Sequence, residues 1–268
     1  MTADNRTSKV VEWQRREDSD GIVTFRLASW SNYFDFLEAE VFGAPNVSRH
    51  KYIWRGQRRS DWSLSSSLDR LFGNLEMSTA GPAVLQSRST EHLKSFKYAT
   101  RGRRGTNPAV LSENDLWALG QHFGLATPLL DWTRSPFAAA YFAFEERPSD
   151  PTGSTEYRVV YALDEDAVKR RTQELEGGRH FEEGQSPGIE LIEPMSDENP
   201  RLVSQGGLFT RAPIGVPIEQ WIARAFEGLS TTILLRIEIP DSDRITCLRA
   251  LDRIEQIANA FFAGSFDA

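Results

Sequence analysis

One cysteine, Cys247, stands in 268 residues, which excludes an internal disulfide framework and any Cys-rich metal knuckle and fits a reducing cytosol. Long apolar runs are missing as well. The longest, Phe137 to Phe144, has eight residues, far below the ~20 that span a bilayer. The first residues (MTADNRTSKVVEWQRRE) hold no apolar signal core. The expectation is a soluble, cytoplasmic protein with no membrane partner. Histidine is sparse: His50, His92, His122 and His180 are widely spaced, so no metal is expected. There is no G-x-G-x-x-G after a strand, no phosphate loop ending in G-K-[ST] and no H-E-x-x-H.

What is present is ordinary in bulk and uneven in detail. Hydrophobic residues make up 40% and charged residues 26%, as in a globular domain with a sizeable core. The net charge of −7 argues against a chain built mainly to coat a polyanion. Its distribution says more: residues 1–110 carry 17 basic and 12 acidic side chains, and residues 145–200 carry 6 and 15. A basic N-terminal half beside an acidic middle predicts a basic face on an acidic molecule.

Periodicity and punctuation predict the elements. Residues 1–20 are read as a polar N-terminal segment ahead of one domain over 21–268. Ile22 to Leu27, Tyr52 to Trp54, Leu129 to Trp132, Arg158 to Leu163, Ile189 to Ile192, Leu202 to Thr210 and Thr232 to Ile239 read as strands. Helices are predicted near 30–42, 64–72, 90–99 and 217–228, from a Ser112/Asp115 capping box to about Phe123, and after Asp164. Ser135–Pro136 opens a helix to about Glu146 that is apolar nearly all round and should be buried. Residues 73–90, 101–107 and 173–188 read as loops. Strands and helices mix without a βαβ rhythm, so the fold class is α+β, a single domain with a mixed or antiparallel β core flanked by helices.

Three blocks could carry chemistry. Arg55, where a strand runs into Gly56 and Gln57, can present a planar fork of donors to a phosphate or carboxylate, and the glycine admits a close approach. The plain alternative is an internal salt bridge and a turn. The stretch from Gly120 to Glu145 embeds Gln121, His122, Asp131, Trp132, Thr133 and Ser135 between apolar runs; such polar groups either bond one another or line a site. Singly, Asp131 and Ser135 could be caps and His122 a core histidine. The third block, from Arg201 through Gln205, Gly206 and Gly207 to Phe209, marks a bulge or a ligand approach within a strand. Basic stretches at 49–59 and 88–104, interleaved with Trp54, Trp62, Phe96 and Tyr98, could bind nucleic acid.

Taken together, in order and from about residue 30 to 265, these blocks resemble the FRG domain family of bacteria and phages, named for an aromatic–Arg–Gly motif. Trp54–Arg55–Gly56–Gln57 matches the naming motif. Gln121–His122–x–Gly124 and Leu129–Leu130–Asp131–Trp132–Thr133–x–Ser135–Pro136 match its most specific block, and Arg201 to Phe209 a later one. Members are linked to mobile elements and defence loci, so the resemblance implies a toxin or anti-phage effector, with a protein target or a neutralising partner.

A more distant resemblance is to the ADP-ribosyltransferase fold with its split sheets. It implies NAD as substrate, Arg55 on its diphosphate and Thr133 and Ser135 ordering the nicotinamide ribose. It also implies Gln205, or an acid such as Glu190 or Glu193, at the oxocarbenium-like state. Gln205 stands where a catalytic acid is expected; it cannot act as a base, but it can hydrogen-bond a ribose hydroxyl. Two other readings stay open: a non-catalytic module binding nucleic acid or protein through the basic 49–104 region, and a nuclease or other hydrolase using His122 and Asp131.

Overall fold

In a computed structural model, residues 12–43, 51–75, 77, 80–104, 110–146, 155–193 and 208–264 are described, side chains at 17 and 255–264 excepted. Among the described residues, eight strands form two sheets. The first is mixed, in the order β1 (Trp13–Ser19), β2 (Ile22–Leu27), β8 (Leu234–Pro240), β5 (Tyr157–Asp164), β3 (Tyr52–Gln57). Its only parallel contact is β2 with β8; the other neighbours run antiparallel. The second is antiparallel, in the order β4 (Leu129–Trp132), β7 (Leu208–Arg211), β6 (Glu190–Ile192). The fold class is α+β, as expected.

The helices are α1 (Tyr33–Phe36), α2 (Ser67–Asn74), α3 (Pro82–Ala99), α4 (Glu113–His122), α5 (Pro136–Phe144), α6 (Glu165–Glu176), α7 (Ile218–Ala225) and α8 (Arg244–Gly264). Among the described residues none is long and apolar enough to cross a membrane. α1 belongs to one helical run from Trp30, whose last turns, Leu37–Phe42, widen to π geometry. Several starts are set by their own residues. Ser112 Oγ accepts from Asp115 N at 3.1 Å in a capping box, and Asp164 Oδ1 accepts from Ala167 N at 2.9 Å.

Three expectations are corrected. Trp13–Ser19 (WQRREDS) is a strand, because β2 supplies an antiparallel ladder that a polar edge can join. The segment 73–90 is largely helical: α2 runs to Asn74 and α3 begins at Pro82, with Leu85, Ser89 and Leu93 on its buried face. A serine in that stripe weakens the apolar period. α5 is not buried all round, since Tyr141 and Phe142 are 43% and 46% exposed.

Strand alternation divides the core. On one face of the five-stranded sheet, Val23, Phe25, Leu27, Trp54, Val160, Ala162 and Ile237 pack against the 30–42 run, α5 and α8. Cys247 is fully buried there, and burial pushes its thiol up to about 12. On the other face the registered rung Ile22–Leu234–Leu163–Ile53 is apolar and lies under α6 and α7. One rung further the face turns polar: Thr24, Arg236, Tyr161 and Arg55 stand side by side across the four strands. A third core, among α2, α3, α4 and the second sheet, includes Trp117, Leu129 and Phe209. Arg55 therefore sits where an apolar sheet face gives way to a polar one.

Candidate functional site

Alternation along β3 points Trp54 and Gly56 toward α5, and Arg55 and Gln57 to the opposite face. Trp54 is 2% exposed. Its N–H donates to Thr133 O at 2.7 Å, and its carbonyl accepts from Thr133 N at 2.8 Å. This bridge is the seam between the two sheets. It brings Arg55 alongside the chain leaving β4, although Trp54 and Thr133 are far apart in sequence.

Arg55 Nη1 donates to Asp131 O at 2.8 Å and lies 3.7 Å from Asp131 Oδ2. The Arg55 side chain is 19% exposed, and its Nε is buried with no hydrogen-bond partner among the described residues. Burial pulls its pKa down; Asp131 opposes that, and the nearby like charge of Arg70 adds to it. Arg70 itself reaches Ser65 O at 2.6 Å. Two guanidiniums thus lie near enough for their like charges to oppose one another, an arrangement that an anion would relieve.

Asp131 is held from its other side. Gln121 Nε2 donates to Asp131 Oδ1 at 2.7 Å, and the fully buried Thr127 hydroxyl donates to Gln121 Oε1. Gln121 comes from the last turn of α4, after which Gly124, at φ +81°, reverses the chain toward β4. The Asp131 side chain keeps 59% of its surface open, yet burial pushes its pKa up, with Arg55 and the Gln121 hydrogen bond opposing. The carboxyl is thus surrounded by protein yet open to solvent on one side.

Thr133 and Ser135 close this side. Ser135 N donates to Thr133 Oγ1 at 3.2 Å, and Ser135 Oγ accepts from Ala138 N at 3.2 Å as the N-cap of α5, with Pro136 following. Both hydroxyl oxygens accept from backbone amides.

The other expected residues divide. Gly56 serves α5: a Cβ there would lie 1.8 Å from Ala139 O. Gln57 is buried and donates to Trp62 O at 2.9 Å, holding the turn after β3. Trp132 is 2% exposed and donates to Thr210 Oγ1 at 2.8 Å, inside the core. His122 is exposed with its ring edge-on to Phe123; it is Gln121, not His122, that meets Asp131. Glu190 Oε1 accepts from Gly184 N at 2.8 Å, and Glu193 pairs with Arg134 at 2.5 Å. Arg201 and Gln205 lie outside the described residues.

Sequence reasoning missed Thr127 and Arg70. Thr127 is a polar residue inside the same apolar stretch as Gln121, a usable signal. Arg70 carries none, because its place beside Arg55 depends on how α2 docks. The constellation sets two like-charged guanidiniums near a carboxylate whose pKa is raised by burial. No curated protein and no solved structure matches the chain. Residues 50–151, which hold Arg55, Gln121, Asp131, Thr133 and Ser135, match the family model of the FRG domain, and the chain is similar to that domain over this span.

Proposed function

We propose that the Arg55 cleft binds NAD through its diphosphate and that the protein is an ADP-ribosyltransferase-like enzyme, acting as a toxin or defence effector. The observation that carries this reading is the placement of Arg55, with its buried unpartnered Nε, next to Thr133 and Ser135 by the Trp54–Thr133 bridge. Arg55 holds the diphosphate, and Arg70 adds positive field. The hydroxyls of Thr133 and Ser135 donate to the nicotinamide ribose. The C1′–N bond breaks, nicotinamide leaves with the electron pair, and positive charge develops on the ribose. Asp131 stabilises that charge, and its raised pKa suits it to take the proton of the acceptor as the acceptor bonds to C1′.

The test incubates the full chain with labelled NAD and cell lysate. Nicotinamide release and label transfer are expected, both abolished in Arg55→Ala. Ser135→Ala refines the reading. Loss of the cap alone costs about 1 kcal/mol of stability, whereas a role at the ribose adds a loss of turnover well beyond the change in folded protein. Absence of NAD binding together with absence of nicotinamide release overturns the proposal.

A further inference from the structure

The basic residues of 49–104 differ sharply in how far their charge is spent. Lys51 pairs with Asp164 at 3.1 Å, Arg58 with Glu146, and Arg59 with Asp61 at 2.7 Å, while Arg55 lies in the cleft. On α3, Arg88 pairs with Glu91 at 3.0 Å, the only acid between residues 88 and 104. Beyond it, Lys94, Lys97 and Arg101 form no ion pair among the described residues. Lys94, Lys97 and Arg101, with Tyr98, line a groove of about 440 Å³, with no carboxylate among the described residues that line it. These four residues are spaced i, i+3, i+4 and i+7, so they share one helix face. The helical turn is carried past Ala99 by Thr100 N donating to Phe96 O at 3.0 Å and Arg101 N to Tyr98 O at 3.2 Å.

The opposite face is committed to the protein. Leu85, Ser89 and Leu93 are buried, and His92 Nε2 meets Ala126 O at 3.0 Å. That packing turns the cationic face outward. Tyr98 is 59% exposed, and the Arg101 guanidinium lies 5.8 Å from its ring centroid. The exposed ring is flanked by Lys94, Lys97 and Arg101, which form no ion pair among the described residues.

From this we infer that the outer face of α3 is a binding site for single-stranded nucleic acid. Lys94, Lys97 and Arg101 contact successive phosphates, and a base stacks on Tyr98 beside the Arg101 guanidinium. The single strand is the fitting occupant because a duplex hides its base faces, so Tyr98 adds nothing there. The site is separate from the Arg55 cleft and does not rest on the NAD reading.

The experiment uses the full chain without NAD and a fluorescent single-stranded oligonucleotide of mixed sequence, compared with its duplex and with heparin. Three phosphate contacts predict a log–log salt slope of about −2, so binding weakens about twentyfold between 50 and 200 mM salt. In Lys94→Gln/Lys97→Gln the slope falls to about −0.7, and the same salt step costs only about threefold. Tyr98→Ala weakens binding about fivefold or more, and Tyr98→Phe retains it. Circular dichroism confirms that each variant is folded.

No binding at 50 mM salt overturns the inference, as does an unchanged slope in the double variant. Equal affinity for heparin and the single strand, indifferent to Tyr98→Ala, leaves an ionic surface and overturns it too. Nicotinamide release, assayed without oligonucleotide, is unchanged in Lys94→Gln/Lys97→Gln; failure of this site and failure of the NAD reading are therefore separable.

Discussion

Gly56→Ala tests what the Arg-Gly pair is for. A Cβ added at residue 56 would lie 1.8 Å from Ala139 O, 2.6 Å from Ala143 N and 2.9 Å from Ala139 C. All three atoms are α5 backbone, so no side chain can rotate away. Either β3 or α5 must retreat by roughly 1 Å in an interior packed to crystal density. Ala139, Ala140 and Ala143 are fully buried, so the shift is passed to their neighbours and strains the Trp54–Thr133 bridge two residues away. Overpacking of this kind costs about 3 kcal/mol, the upper end of the usual range. For a chain of this size that lowers Tm by about 6–12 °C. The assay is thermal and urea denaturation, with Gly73→Ala as control. Gly73 sits inside α2 with nothing within 4 Å of its added Cβ, so alanine there stabilises by about 0.5–1 kcal/mol. An unchanged Tm for Gly56→Ala refutes the packing argument. If NAD binding is lost at the same time, the glycine serves a ligand instead.

Two further outcomes follow from the site and the seam. Asp131 should titrate above the ordinary aspartate range, and Arg55→Met should push it higher, because Arg55 is the largest influence holding it down; NMR titration of the carboxyl checks both. A raised folded-state pKa means that stability from this group is present at low pH and lost as pH rises through the folded pKa. Asp131→Asn removes that loss, so the stability difference from the parent chain grows with pH; an Asp131 pKa at or below the ordinary range refutes the cleft electrostatics. Thr210→Val strands the Trp132 indole N–H, since the two side chains are 2% and 1% exposed. It should cost about 1–3 kcal/mol by urea denaturation, with Thr210→Ser recovering most of it; a neutral Thr210→Val would show the bond to be dispensable.

Much of the fold was legible because local chemistry decides it. The Ser112/Asp115 box, the Ser135–Pro136 opening and the Asp164 cap each act within three residues, and all appear where the sequence places them. The strands with β-branched runs, such as Ile22–Leu27 and Tyr157–Asp164, were equally plain. β1 was not, because WQRREDS has no apolar alternation and takes strand form only against β2. The first half of α3 was hidden by small polar residues, whose helical state is upheld by burial of Leu85 and Ser89.

For the site, residue types and clustering were readable, while roles were not. Gln121 and His122 are neighbours in sequence, yet only Gln121 reaches Asp131; a helix turns successive residues by about 100°, and α4 docks one way. Arg55 and Gly56 likewise read as one motif, but strand alternation sends the first into a cleft and the second against α5. By itself the sequence determined the caps, the strand periods, the embedded polar block and the surplus of basic residues before residue 110. Tertiary structure alone decided which of those bases meet a carboxylate and that Arg70 lies beside Arg55. It alone joined Arg55 to Thr133. Those outcomes depend on sheet register and helix docking between distant segments, and no local pattern encodes them.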